Sequence, residues 1–168
     1  LRNLAPTWPN PLGFYNAIGG GPSNGFRRFV DPNTEWGQRR ADLPLLIDGL
    51  VDVHELRRGD GPRFGRIAAY HDRIWTRDPR DPGRARSWLA WLEPERNLDG
   101  AWLLFDVERD RFARHVRESG DPNAAADLAI AHLAEGELAE ARALVPLAGE
   151  RAPSLAALIE LVAKEAPS

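Results

Sequence analysis

Four polar side chains follow a short predicted strand and are well placed to bind a small ligand. Residues 26–31 have the aromatic and apolar content of a strand, and Asp31, Asn33, Glu35 and Gln38 come directly after it. Open α/β sheets bind ligands at the carboxyl ends of their strands, so a sugar, phosphate or cation site is one interpretation. The other is that Asp31 and Asn33 cap a turn through hydrogen bonds from side chain to backbone.

A second group is basic and lies between Tyr70 and Trp88, where Arg80 and Arg84 are two of several arginines. Guanidinium groups suit phosphate, so these side chains could contact anionic lipid headgroups or a phosphorylated glycan. Aspartates interspersed in the same stretch favour instead a self-neutralised surface loop.

The amino-acid composition excludes several kinds of functional site. The 168 residues are 43% hydrophobic and 28% charged with a formal net charge of −3, which is typical of a globular protein and not of a nucleic-acid-binding one. The chain has no cysteine, which excludes disulfides, thiolate zinc sites and thiol nucleophiles. Its four histidines are far apart in sequence. We therefore expect no metal site, no cofactor and no nucleic-acid partner.

Periodicity predicts alternating strands and helices in residues 1–107, after a Gly/Pro-rich N-terminal loop. A helix is expected from about Asp42 toward Arg57, a strand at 66–70, a short helix at 84–92 and a buried central strand at 101–107. This alternation favours an α/β fold with a small, two- or three-layer and mainly parallel sheet. Residues 108–168 read as a separate α-helical region, beginning with a charged helix that ends before Gly120.

The last third matches the pattern of a tetratricopeptide repeat, a helical hairpin of about 34 residues, in a register that starts at Pro122. Small residues at Ala129 and Ala141 let two helices approach closely, Gly136 permits the turn between them, and Pro153 is expected to end the second helix. A third helix would cap the pair through apolar residues at regular spacing, namely Leu155, Leu158, Ile159 and Val162.

Two positions of this register depart from the repeat pattern. Ala125 stands where a large aromatic residue is expected, and His132 replaces another aromatic. We take both as candidate interaction positions, together with Arg80 and Arg84. A single repeat cannot bury its own faces, so the hairpin is expected to rest on the α/β part or on a partner.

The stretch NPLGFYNAIGGGPSNGFRRFVDPNTEWGQ at 10–38 resembles a segment of protein-mannosyltransferase-like, polyprenyl-phosphate-dependent membrane glycosyltransferases. The resemblance lies in a Tyr-Asn pair, a GGP, a Gly-Phe and the run from Asp31 to Gln38, and it extends weakly to about Val107. Pro32 and Glu35 replace a serine and an aspartate of the family pattern. In that family the segment opens a soluble extracytoplasmic domain, sometimes followed by tetratricopeptide repeats.

The resemblance implies a noncatalytic, extracytoplasmic (periplasmic) interaction or scaffold domain, held at the membrane by a partner or by transmembrane segments outside these residues. The family's catalytic carboxylates lie on an early loop that we expect upstream of Leu1, so glycosyl transfer is expected only from a larger membrane protein. The expected partner is a membrane protein or complex, with a peptide or glycan as a further ligand. Two alternatives stay open: a carbohydrate- or phosphate-binding enzyme domain using Asp31 and Glu35, and a free tetratricopeptide adaptor.

Overall fold

The computed structural model describes residues 43–57, 59–70, 74, 87–98 and 102–165. The chain divides into two compact units. The sheet unit comprises Leu1–Arg58 and Arg66–Asp106, and the helical unit comprises Gly59–Gly65 and Val107–Ser168. The predicted strand at 26–31 and the N-terminal loop lie outside the described residues. The helical unit thus combines the C-terminal residues with a short stretch, Gly59–Gly65, that lies in the sequence between the two segments of the sheet unit.

Within the described residues the sheet has four strands in the order β1-β2-β4-β3, where β1 is Val53–Glu55, β2 is Gly65–Tyr70, β3 is Arg96–Asn97 and β4 is Trp102–Val107. The predicted strands at 66–70 and 101–107 are confirmed as β2 and β4. Nearly all of β4 is buried, as expected for a continuous apolar run. Tyr70 and Trp102 pack edge to face with their ring centroids 5.1 Å apart.

The expectation of a mainly parallel sheet is wrong, because the sheet is mixed. β1 runs parallel to β2, but β3 runs antiparallel to β4, with Arg96 opposite Leu104. The Leu98 N–H donates to the Trp102 carbonyl at 2.9 Å, so β3 and β4 are joined across a short connection. Antiparallel strands can be joined this way, whereas parallel neighbours need a long crossover.

The first predicted helix is much shorter than its apolar spacing suggests. Helix α1 spans only Leu43–Leu46, and the part of the predicted helix that follows contains β1. Gly49 (φ 76°) and Asp52 (φ 55°) both adopt left-handed backbone geometry, which a right-handed helix cannot include. The Asp42 cap lies outside the described residues. The helix predicted at 84–92 is also absent from its described part, where the hydrogen bonds at 87–92 close single turns.

The helical unit contains α2 (Arg109–Ser119), α3 (Pro122–Ala134), α4 (Leu138–Leu144) and α5 (Ala152–Glu165). The predicted charged helix is α2, which buries Phe112 and Val116. It ends at Gly120 (φ 61°). The Asp121 side chain then accepts a hydrogen bond from the Asn123 N–H at 2.9 Å and caps α3, an arrangement that stabilises a helix by about 1 kcal/mol.

Small side chains lie between the helices of this unit. Ala129 in α3 and Ala141 in α4 are fully buried, in one cluster with Ala126, Leu133, Ala148, Leu155 and Ile159. The connection between α3 and α4 contains Gly136 with φ 78°, which confirms its predicted place in a turn. The third predicted helix is confirmed as α5. Of its four predicted packing residues, Leu155 and Ile159 are buried and Val162 is partly buried, but Leu158 is exposed, because it lies to one side of the face that packs on the helical unit.

Pro153 does not end the second helix, contrary to the prediction. Helix α4 stops at Leu144, and a 3₁₀ turn, Val145–Leu147, contains Pro146. Proline has no N–H to donate and its ring collides with the carbonyl four residues earlier, so Pro146 ends the α-helical hydrogen bonding. Pro153 is the second residue of α5, where the first-turn N–H groups have no intrahelical partner and proline is tolerated.

Gly149 is expected to be among the least replaceable glycines of the helical unit. Its φ is 55°, and a Cβ added there would meet the Pro122 Cβ at 3.0 Å. We expect Gly149→Ala to cost about 2 kcal/mol of unfolding free energy, from left-handed strain together with the clash. Gly120→Ala is the control, because Gly120 has φ 61° but nothing within 4 Å of the added Cβ. It should cost only the strain, about 1 kcal/mol. Equal losses in urea denaturation would show that the Pro122 contact is unimportant.

Candidate functional site

Most of the predicted site residues lie outside the part of the chain that the structure describes. This holds for all four candidate ligand-binding residues and for both arginines: Asp31, Asn33, Glu35, Gln38, Arg80 and Arg84. The sugar, phosphate or cation site predicted for the first four residues therefore stays a prediction, as does the contact of the arginines with lipid headgroups or a phosphorylated glycan.

The other two candidate residues lie in α3 and differ in accessibility. Ala125 is only 1% exposed, and every residue from Ala124 to Ala129 is buried. A partner could therefore not touch Ala125 in this conformation. The side chain of His132 is 14% exposed and lies near the end of α3. Of the two residues, only His132 has a side chain that is partly accessible from outside the helical unit.

His132 belongs to a group of charged and aromatic side chains around Glu137, which we call the Glu137 cluster: Phe64, Arg109, His132, Glu135 and Glu137. His132 Nδ1 lies 2.8 Å from Glu137 Oε2, and Arg109 Nη1 donates to both carboxylate oxygens of Glu137. Arg109 Nη2 also lies 3.7 Å from Glu135 Oε2. Both oxygens of the Glu137 carboxylate are thus engaged within the helical unit.

Phe64 provides the apolar side of the Glu137 cluster. The guanidinium carbon of Arg109 lies 4.6 Å from the centre of the Phe64 ring, which is a cation–π contact. His132 meets the same ring edge to face, with centroids 5.1 Å apart. Through these contacts Phe64 holds the Gly59–Gly65 stretch against α2 and α3.

The backbone at the end of α3 explains why the side chain of Glu137 lies beside that of His132. Helix α3 ends at Ala134, and the left-handed Gly136 reverses the chain. The Glu137 N–H then donates to the His132 carbonyl at 2.9 Å, which places the two side chains together. Arg109, in the first turn of α2, reaches the same point. The cluster therefore ties the start of α2 to the connection between α3 and α4.

The same contacts set the protonation of Glu137. The hydrogen bond from Arg109, and after it the contact with His132, holds the pKa of Glu137 below its usual range. Elsewhere in the helical unit, burial lowers the pKa of His115 in α2, against the opposing charges of Asp121 and Glu118. In both groups the folded chain favours the deprotonated form, so acidification below the usual pKa of each group destabilises the fold.

Replacing Glu137 with glutamine is expected to remove one acid-sensitive step of unfolding. Because the pKa of Glu137 is lower in the folded state, its contribution is present above pH 4.5, the ordinary value, and is lost as the pH falls through the folded pKa. Thermal unfolding followed by circular dichroism should place E137Q below the parent near neutral pH. The two melting temperatures should converge as the pH falls below 4.5 and through the lowered pKa of Glu137. His115 is present in both chains, so the difference isolates Glu137.

Glu150→Gln is the matched control for this experiment. Glu150 is an exposed glutamate of the helical unit for which the described residues show no ion pair. Its substitution should leave the melting temperature nearly unchanged at every pH. A constant difference between E137Q and the parent across the pH range would contradict the assignment of the acid-sensitive step to Glu137.

Helix α5 carries a different feature, an exposed apolar flank. Leu158 is 39% exposed and Leu161 is 54% exposed. At about 100° per residue, these leucines lie on one side of the buried face formed by Leu155 and Ile159, and Glu160 lies on the other side. Glu160 is paired with Arg142 of α4 at 3.0 Å. We call Leu158 and Leu161 the α5 flank.

The sequence offered different signals for these two features. The sequence does not indicate that Glu137, Arg109 and Phe64 form a cluster. Arg109 is 28 residues from Glu137, and only the folding of the unit brings them together. The spacing of the α5 flank is visible in the sequence, since Leu158 and Leu161 are three residues apart on one helix, but it does not show that Leu158, predicted to cap the hairpin, is exposed.

Comparison of the chain with protein-family models, with curated proteins and with solved structures finds no match. Among the described residues, no group of three or more His, Asp or Glu side chains could hold a metal ion. Across the same residues, no helix combines the length and apolar character needed to cross a membrane.

Proposed function

We propose that this chain is a noncatalytic extracytoplasmic interaction or scaffold domain that binds a membrane protein or membrane complex. In this proposal α3 and α4 form one tetratricopeptide-like repeat and α5 is the helix that caps it. The observation that carries the proposal is the α5 flank, where the neighbouring side chains of Leu158 and Leu161 are 39% and 54% exposed.

The pairing of these leucines on one flank is what distinguishes them from ordinary surface residues. Single exposed apolar residues are common on proteins and need no explanation. Here the buried face of α5 is already supplied by Leu155 and Ile159, which pack into the core of the helical unit. Leu158 and Leu161 therefore leave apolar surface exposed beside a face that is already packed.

The way helical repeats pack indicates what the exposed leucines of the α5 flank would contact. A helical repeat buries its apolar faces against neighbouring helices or repeats. Helix α5 is polar where Glu160 pairs with Arg142, but it is apolar along the α5 flank. A partner helix or loop with its own apolar side chains would complete the packing there.

The membrane assignment has a separate support, the resemblance of residues 10–38 to the segment that opens the soluble domain of membrane glycosyltransferases. A domain of that kind works beside transmembrane segments. The partner proposed for the α5 flank is accordingly a protein of a membrane complex on the extracytoplasmic side.

Leu161→Glu tests the proposal directly. A charge at the centre of an apolar contact should reduce the amount of membrane protein that co-purifies with the tagged chain from detergent-solubilised membranes at least about tenfold, a loss of about 1.4 kcal/mol. Because Leu161 is more than half exposed, the substitution should leave the circular dichroism spectrum and melting temperature nearly unchanged.

Ala139→Glu is the control for this substitution. Ala139 is an exposed residue of α4, and the change adds the same charge to a helix surface outside the α5 flank. It should leave co-purification intact. Equal yields from the parent, L161E and A139E would remove the α5 flank from the proposal.

A further inference from the structure

We draw no further inference here: the strongest candidate, the exposed flank of α5 formed by Leu158 and Leu161, already carries the proposed function, and nothing in the structure shows what covers it.

Discussion

Replacing Arg151 with alanine is expected to destabilise the helical unit by about 3 kcal/mol, because the change removes a cation that faces a buried carboxylate. Asp127 lies within α3 and is only 6% exposed, between apolar neighbours that are also buried. Arg151 Nη1 donates to Asp127 Oδ1 at 2.9 Å from the 3₁₀ turn before α5. Without it the Asp127 charge would lose a close cationic partner in a site largely shielded from water.

The matched control is Arg142→Ala, which breaks an ion pair in the same unit at nearly the same distance. Arg142 Nη2 lies 3.0 Å from Glu160 Oε1, but both side chains are more than half exposed. Such pairs contribute about 0.5 kcal/mol or less, because water screens the charges and two flexible side chains must be ordered. The difference between the losses of unfolding free energy in R151A and R142A therefore measures the effect of burying the ion pair.

Urea denaturation can assign these effects to one unit. Far-UV circular dichroism follows mainly the helices, whereas the tryptophans in the described part of the chain, Trp88, Trp91 and Trp102, belong to the sheet unit, and fluorescence follows them. We expect R151A to shift the circular dichroism transition strongly and R142A to shift it little. Equal shifts would contradict the buried status of Asp127.

Replacing Ala141 with leucine should be nearly as damaging, at about 2 to 3 kcal/mol, because the fully buried alanine lies between packed helices. Its neighbours in the core of the helical unit include Ala129 of α3, which is also fully buried. Three added carbon atoms cannot fit there unless helices or side chains move. Alanine and leucine are both good helix formers, so the loss would come from packing and not from helix propensity.

Ala139→Leu separates packing from every other consequence of the same substitution. Ala139 and Ala141 are two residues apart in α4, but Ala139 is exposed. The control should change the unfolding free energy by less than about 0.5 kcal/mol. A small effect of A141L in the same urea titration would show that the helices do not approach closely at this position.

Elements with a strong pattern over their whole length could be predicted from the sequence. The continuous apolar run of β4 has the length of a strand, and Phe112 and Val116 in α2 are four residues apart, about one helical turn. The turn at Gly136 was predictable for the same reason, since glycine adopts its left-handed geometry without steric cost. The repeat register of α3 and α4 as a tetratricopeptide unit stays a prediction.

Local backbone geometry explains where the pattern failed. Apolar residues continue at helical spacing beyond Leu46, but left-handed residues at Gly49 and Asp52 stop the helix and leave room for β1. Of the apolar residues at 43–57, only Leu43 and Leu56 are buried, and Val51 is 70% exposed, so hydrophobic spacing alone fixes neither the backbone nor the buried face. Two prolines, Pro146 and Pro153, follow α4 in the sequence. The helix ends just before Pro146 because that proline comes first in the chain.

Contacts between distant residues could not be predicted at all. Asp127 and Arg151 are 24 residues apart, and Arg109 and Glu137 are 28 apart. Their pairing depends on how α2, α3 and the turns pack, which no local spacing encodes. His132 is a candidate interaction position because it departs from the repeat pattern. In the structure its side chain contacts Glu137 instead.

The most direct test of the proposed function is site-specific photo-crosslinking in the native cells. A photoreactive phenylalanine derivative at Leu161 is expected to link the chain to a membrane protein on the extracytoplasmic side, because this residue lies on the α5 flank. The same group at exposed Ala139 is expected to give no such product. Crosslinks of equal yield at both positions, or none at Leu161, would contradict the account.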